Sequence, residues 1–285
     1  MGIRLPNSTS YVHPDESNQL ELHRAMDYNE QGQPIIRTST SYNWTIKISA
    51  GNVPYTSYIE KFGRNTTLSG NMETVWDGNN LYTYISSASR LSVVSDSGDD
   101  AAGGTGARTV EIQGLDGDYN LITETITVGG ADTTTNLFLR VFRAKVATAG
   151  SVGSNVGILD VTADDSSTVL AKINTVGTGG GAGLGQTFMA LYTIPAGKTA
   201  YLTQWTVGAG GQNADTTAFF LARPQGGAWN AKDIIVSAGQ QFAKNYQIPL
   251  QFTEKTDLEV RAFSSSSGND CASSFNLILI DNDQT

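Results

Sequence analysis

The sequence predicts an all-β protein: two antiparallel β-sandwich domains, jelly-roll-like, preceded by an extended N-terminal arm. Three observations lead there. Residues 109–146 read as consecutive strands with turn chemistry between them, the same style recurs to the C-terminus, and no stretch beyond residue 187 sustains a helical period. In the first of those strands Val110 and Ile112 alternate with Thr109, Glu111 and Gln113, the period of a strand with one buried face. Gly114 to Asn120 follows, and its Asp116-Gly117 step offers the positive-φ geometry of a tight turn. Leu121 to Val128 returns with Ile122, Ile126 and Val128 on one face and Thr123, Thr125 and Thr127 on the other, a β-branched composition that favours a strand. Leu137 to Val146 is amphipathic and open to either a helix or a strand; its neighbours favour a strand.

From the N-terminus, residues 1–44 form the arm. They are rich in Ser, Thr, Asn and Gln, carry Pro6, Pro14 and Pro34, and hold one possible short helix at Gln19 to Met26. Alone in water such a segment gains too little from burial to offset its ordering entropy. Tyr11, Leu20, Leu22, Tyr28, Ile35 and Ile36 are nonetheless too apolar for a plain linker, which favours an arm that orders on a particle over a disordered tail. The first sandwich is expected at 45–174, beginning with the alternating run Trp44 to Ser49. It continues through Ile59 to Arg64, a hairpin from Thr74 to Ile85 centred on Asp77-Gly78, Leu91 to Val94, and Val156 to Val161. Residues 175–186, nearly all Gly, Thr and Ala, read as a flexible linker. The second sandwich, 187–285, follows with strands at 187–193, 199–207, 219–223, 234–237, 242–250, 258–263 and 275–280; Pro195 and Gly197 mark the first turn.

Composition narrows the function classes. Charged residues are 16% of the chain, below the roughly 25% of ordinary soluble domains, which suits a subunit that buries its outside against neighbours. A net charge of −9 without any Lys/Arg cluster argues against nucleic acid as a partner. The single cysteine, Cys271, leaves no internal disulfide and reads as a buried, inert thiol. Neither a signal peptide nor an apolar run long enough to span a bilayer is visible, so synthesis in a host cytoplasm and no membrane partner are expected.

Candidate sites are few. Both histidines, His13 and His23, fall in the arm, outside any rigid scaffold, which disfavours a Ser-His-Asp arrangement. Glu111, Glu124, Asp116 and Asp118 flank the central hairpin, and a glycosidase needs two carboxyls a set distance apart, but turns and solvent faces contain the same residues. Asp96, Asp99 and Asp100 place three carboxylates in one loop, a weak calcium candidate without the bidentate Glu of an EF-hand; a solvated turn is the plainer alternative. No cofactor is expected. Trp76, Tyr82, Tyr84, Trp205 and Trp229 offer stacking surfaces, with Trp205 and Trp229 the candidates for glycan contact, although aromatics in strands more often belong to a core or a subunit contact.

Several runs carry a resemblance: Tyr58-Ile-Glu-Lys-Phe-Gly, Glu73-Thr-Val-Trp-Asp-Gly, Gly103 to Asn120, Tyr192-Thr-Ile-Pro-Ala-Gly-Lys-Thr-Ala-Tyr-Leu and Glu254-Lys-Thr-Asp-Leu-Glu-Val-Arg-Ala. Together they resemble virion structural proteins of tailed bacteriophages common in marine samples, over about Tyr58 to Asn282. The resemblance implies a non-enzymatic component of a virion and transfers no catalytic residue. The leading expectation is a head decoration, a cement or fibre subunit anchored through its arm to other virion proteins such as the major capsid protein. A tail fibre or baseplate adhesin binding host-surface glycan is the alternative, and a polysaccharide depolymerase the third. A homo-oligomer is expected, a trimer by analogy with other fibres and decorations.

Overall fold

A computed structural model describes residues 3–4, 11–12, 27–28, 34–35, 41–130, 132–164, 168–176, 183–210 and 215–284, with the backbone alone up to residue 44. The chain divides into two units, Met1–Pro54 and Tyr55–Thr285.

In the first unit, β1 (Ile3–Arg4) pairs with β2 (Tyr11–Val12) and β3 (Asp27–Tyr28) with β4 (Pro34–Ile35). The helix α1 (Ser41–Ser49) corrects the strand expected from Trp44 to Ser49. Six alternating residues fit either period. The signal that decides lies just downstream, in Ala50-Gly51-Asn52: Gly51 has φ 69°, its N–H donates to Ile48 O at 2.9 Å, and Asn52 N–H donates to Lys47 O at 2.8 Å. Those two bonds close a Schellman cap, which satisfies carbonyls that a helix end leaves bare.

The second unit is all-β and antiparallel throughout, with two sets of sheets. One set joins β8 (Ala107–Leu115), β9 (Leu121–Thr127) and β10 (Arg140–Ala149) to β7 (Leu91–Ser95), β11 (Leu159–Ala163) and β12 (Val169–Ile173), in the orders β10-β8-β9 and β12-β11-β7. Leu137 to Val146 is therefore strand from Arg140 onward. The register Val110↔Ile126 and Ile112↔Ala144 puts the alternating apolar residues on one buried face, as their period requires. The turn between β8 and β9 differs in detail from expectation. Tyr119 N–H donates to Asp116 O, Asp116 N–H donates to Asn120 O, and the left-handed residue is Tyr119 (φ 69°) rather than Gly117. This is a three-residue loop closed by a bulge.

The other set is a sandwich. One sheet orders as β17-β14-β19-β5, from β5 (Thr56–Leu68), β14 (Lys198–Ala209), β17 (Gln241–Phe252) and β19 (Asn269–Asp281). The facing sheet is β13-β18-β15-β16, from β13 (Leu191–Thr193), β15 (Asp215–Arg223), β16 (Asn230–Ala238) and β18 (Asp257–Ser264), with β6 (Glu73–Thr74) also paired to β18. Phe220 fills the space between the sheets, 5.7 Å from the Trp205 ring and 5.2 Å edge-on to Phe275.

The expected division at 175–186 differs from the pairing observed. Strands β5 and β6, assigned from sequence to the first sandwich, complete the two sheets of the C-terminal half. The Gly-rich stretch is flanked by fixed points: Thr175 bridges Gly183, Leu184 N–H donates to Asn174 O, and Val146 N–H donates to Gly185 O. Its ends thus return to one body and do not lead from one domain to another. The hairpin expected at Thr74 to Ile85 is also replaced. The turn is there, with Asn79 N–H donating to Trp76 O, but β6 pairs with β18 and residues 81–85 form no strand.

Candidate functional site

The residues singled out from sequence fall in different places. Leu20, Leu22 and Ile36, together with both histidines and the possible helix at Gln19 to Met26, lie outside the described residues. For Tyr11, Tyr28 and Ile35 only the backbone is described.

Trp205 is a correction: it is fully buried, and its Nε1–H donates to Ser273 Oγ at 3.0 Å, so no sugar reaches it. Its β14 position alternates inward, which the strand period alone indicates. The calcium candidate is corrected too. Asp100 is buried, and its carboxylate accepts from the N–H groups of Ala107, Val156 and Gly157 and from Ser95 Oγ, at 2.7 to 2.9 Å. Asp96 accepts from Ile158 N–H at 2.7 Å, while Asp99 is exposed. Asp100 staples a loop to the start of β8 and to the chain entering β11, and its oxygens are occupied by N–H and O–H donors. Among the described residues no group of three His, Cys, Asp or Glu side chains converges.

The hairpin glutamates are likewise engaged, while Asp118 is exposed. Glu124 stands opposite Ile112 and Glu111 opposite Thr125, so the two glutamates lie on opposite faces of the sheet. Glu111 pairs with Lys145 at 3.0 Å, and that hydrogen bond holds its carboxyl below the usual range. Partial burial raises the Glu124 carboxyl, but N–H donors from Thr135 and Asn136 outweigh it and leave the value lowered. Neither is poised as an acid.

Trp229 does lie in a cluster, one that sequence reasoning missed. Its ring is half-buried, with the Arg223 guanidinium at 4.7 Å and that of Arg261 at 4.5 Å, and Tyr84, 4.6 Å from Arg223, meets the Trp229 ring directly at 5.5 Å. Beneath them Asp257, 3% exposed, accepts from Arg140 Nε at 2.8 Å, Arg223 Nη2 at 2.6 Å and Thr193 Oγ1 at 2.6 Å. Glu259, fully buried, binds Arg261 through Nε at 2.8 Å and Nη2 at 2.9 Å. Strand period places these acids: Asp257 and Glu259 are alternate residues of β18, and Arg261 continues the same face. Arg261 is local to Glu259, but the partners of Asp257 come from β10, β13 and β15, so no local spacing announces the cluster as a whole. A hollow of 310 Å³ opens beside it, lined by Tyr84, Tyr119, Arg140, Arg223 and the turn 224–227. A larger groove of 630 Å³ runs past Arg64 and Asp270, but those two charges pair with each other and the rest of its lining, Phe62 and Phe188 among it, is uncharged.

A second feature is a surface. Strands β16 and β17 are bare on both faces over most of their length, and they expose Ile234 (53%), Val236 (57%), Phe242 (41%) and Ile248 (85%). Each is the outer strand of its sheet. Leu202 pairs with Leu250 and Gln204 with Asn245, so Thr203 alone faces Tyr246 to Pro249; β17 bulges outward there with Ile248 on the bulge. Lys244 is neutralised by Asp233 at 2.6 Å.

No family model matches the chain, and no curated protein matches it. Solved structures that show similarity include infectious bursal disease virus of the Gt strain, 9% identical, with 82% of this chain and 75% of that chain covered at a TM-score of 0.21. The Gx strain is 10% identical over 79% and 71% at a TM-score of 0.21. T=1 particles derived from the same virus are 12% identical over 80% and 70% at 0.19. At these scores the folds do not superpose as wholes, and no role is assigned from them.

Proposed function

We propose that the chain is an assembling structural subunit of a virus particle, and more narrowly a head-decoration subunit of a tailed bacteriophage held to capsid protein through residues 1–44. The observation that carries this is the strand pair β16 and β17. Single exposed apolar residues need no explanation, but two neighbouring outer strands whose side chains are mostly exposed, with only Ile235, Ser237, Tyr246, Leu250 and Phe252 turned to the core and one strand bulged to push Ile248 outward, form a surface suited to a partner. Burying each of those side chains is worth on the order of 1.5–3 kcal/mol. Symmetric association repeats the gain around the axis. The bulge and Pro249 prevent open-ended strand addition along β17, which favours a closed oligomer over a fibril. A trimer is the state proposed.

A tail fibre or baseplate adhesin is the second reading, favoured by the cationic hollow beside Trp229. Immunogold electron microscopy of purified particles separates the two, with antibody raised against the full chain. Gold over the heads is expected; gold confined to tails makes the adhesin correct; particles without gold remove both.

A further inference from the structure

We propose that the hollow beside Asp257 is a binding site for the carboxylate of an acidic sugar, a uronic acid residue of an anionic polysaccharide. Charge comes first. Arg140 and Arg223 share the one carboxylate of Asp257, while Arg261 is matched by Glu259. Outside the lining, Lys255 adds a further cation nearby, its ammonium 5.6 Å from the Tyr119 ring. Glu254, beside it in sequence, turns its carboxylate to the Gly197 N–H. The hollow thus carries excess positive charge in a chain of net −9, so the field is local and built.

Donor geometry points the same way. Arg140 is committed: Nε and Nη2 bond Asp257, and Nη1 donates to the carbonyls of Ile85 and Leu139 at 3.0 and 2.9 Å. Arg223 is not. Its Nε and Nη2 bond Asp257, and among the described residues no acceptor meets Nη1. Arg223 lines the hollow, and its guanidinium packs against the Tyr84 and Trp229 rings, which meet each other at 5.5 Å, so these contacts restrict its side chain before an anion arrives.

The walls suit a sugar ring. Tyr84 and the largely buried Tyr119 contribute aromatic atoms to the lining, while Gln225 and the backbone of the 224–227 turn supply hydrogen-bonding groups. At 310 Å³ the space is at the small end of ligand pockets, the size for one ring.

The test is calorimetric titration of the full-length protein with sodium glucuronate, glucose and sodium acetate. Glucuronate is expected to bind saturably and more weakly as salt rises, with glucose and acetate each about tenfold weaker or worse. Arg223→Gln should lower glucuronate affinity about tenfold or more. Should that variant fail to fold, Gln225→Ala in the exposed lining gives the second reading, a severalfold loss with an unchanged unfolding midpoint. No binding of glucuronate, equal binding of glucose, or equal binding of acetate overturns the proposal. The site is independent of the assembly surface, so failure here leaves the labelling of particles unaffected.

Discussion

Asp77 shows how far a single residue can be read from its neighbours. Burial pushes its carboxyl up to about 6 from the ordinary 3.8, against hydrogen bonds from Phe188 N–H at 2.8 Å and Asn174 Nδ2 at 3.1 Å, with Arg64 and Lys172 also pulling it down. The folded protein therefore holds this proton more tightly than the unfolded chain does. Between pH 3.8 and 6 stability falls as pH rises, by up to about 3 kcal/mol from this group. Denaturant midpoints from pH 4 to 7 should show that fall in the native chain and a smaller one in Asp77→Asn; identical slopes would place the titration elsewhere. The Asp77-Gly78 step was legible as a turn, but its burial was not, because Phe188 and Asn174 lie about a hundred residues away in sequence. Asp100 shows the same limit, an acid that reads as solvated and is an internal staple. Cys271 matches its expected burial, and that burial, with Asp270 beside it, pushes the thiol up to about 12.

At the scale of elements, strands were legible wherever alternation ran for five or more residues with one face buried, as in β8, β14 and β18. Alternation tells which residues share a face and nothing about which strand lies alongside. That is why β5 was placed with its sequence neighbours when it pairs with β19, Tyr58 against Ile278 and Gly63 against Ser273. Gly63 is the residue that lets β5 run there. A Cβ on it would meet Val75 O at 2.1 Å and Ala190 N at 2.2 Å, the two atoms of a backbone hydrogen bond that cannot move aside. Gly63→Ala is expected to cost at least about 2–3 kcal/mol. Gly98→Ala, in open space, should stay within about 0.5 kcal/mol. Equal denaturant midpoints for the two variants would contradict the close approach. The helix α1 was missed because its evidence lies in the Gly51 cap and not in its own short alternation.

Across the whole molecule, one buried cluster runs from Leu68 through Ile112, Val161 and Trp205 to Leu279, so the two sets of sheets in Tyr55–Thr285 share a core. The all-β class and most strands of that body could be read from composition, period and turns. The arginine, acid and aromatic cluster around Asp257 could not, since it gathers side chains from β10, β15 and β18 and from loops far apart in sequence. Ile234 and Val236 of β16 and Phe242 and Ile248 of β17 lie outside that core and form the proposed assembly surface. The most direct measurement is sedimentation velocity of the full-length protein at micromolar concentration, alone and as Val236→Lys with Ile248→Lys. The native chain should sediment as a single closed oligomer and the double variant as a folded monomer with an unchanged unfolding midpoint. A monomeric native chain, or a double variant that still assembles, would contradict the assignment of this surface.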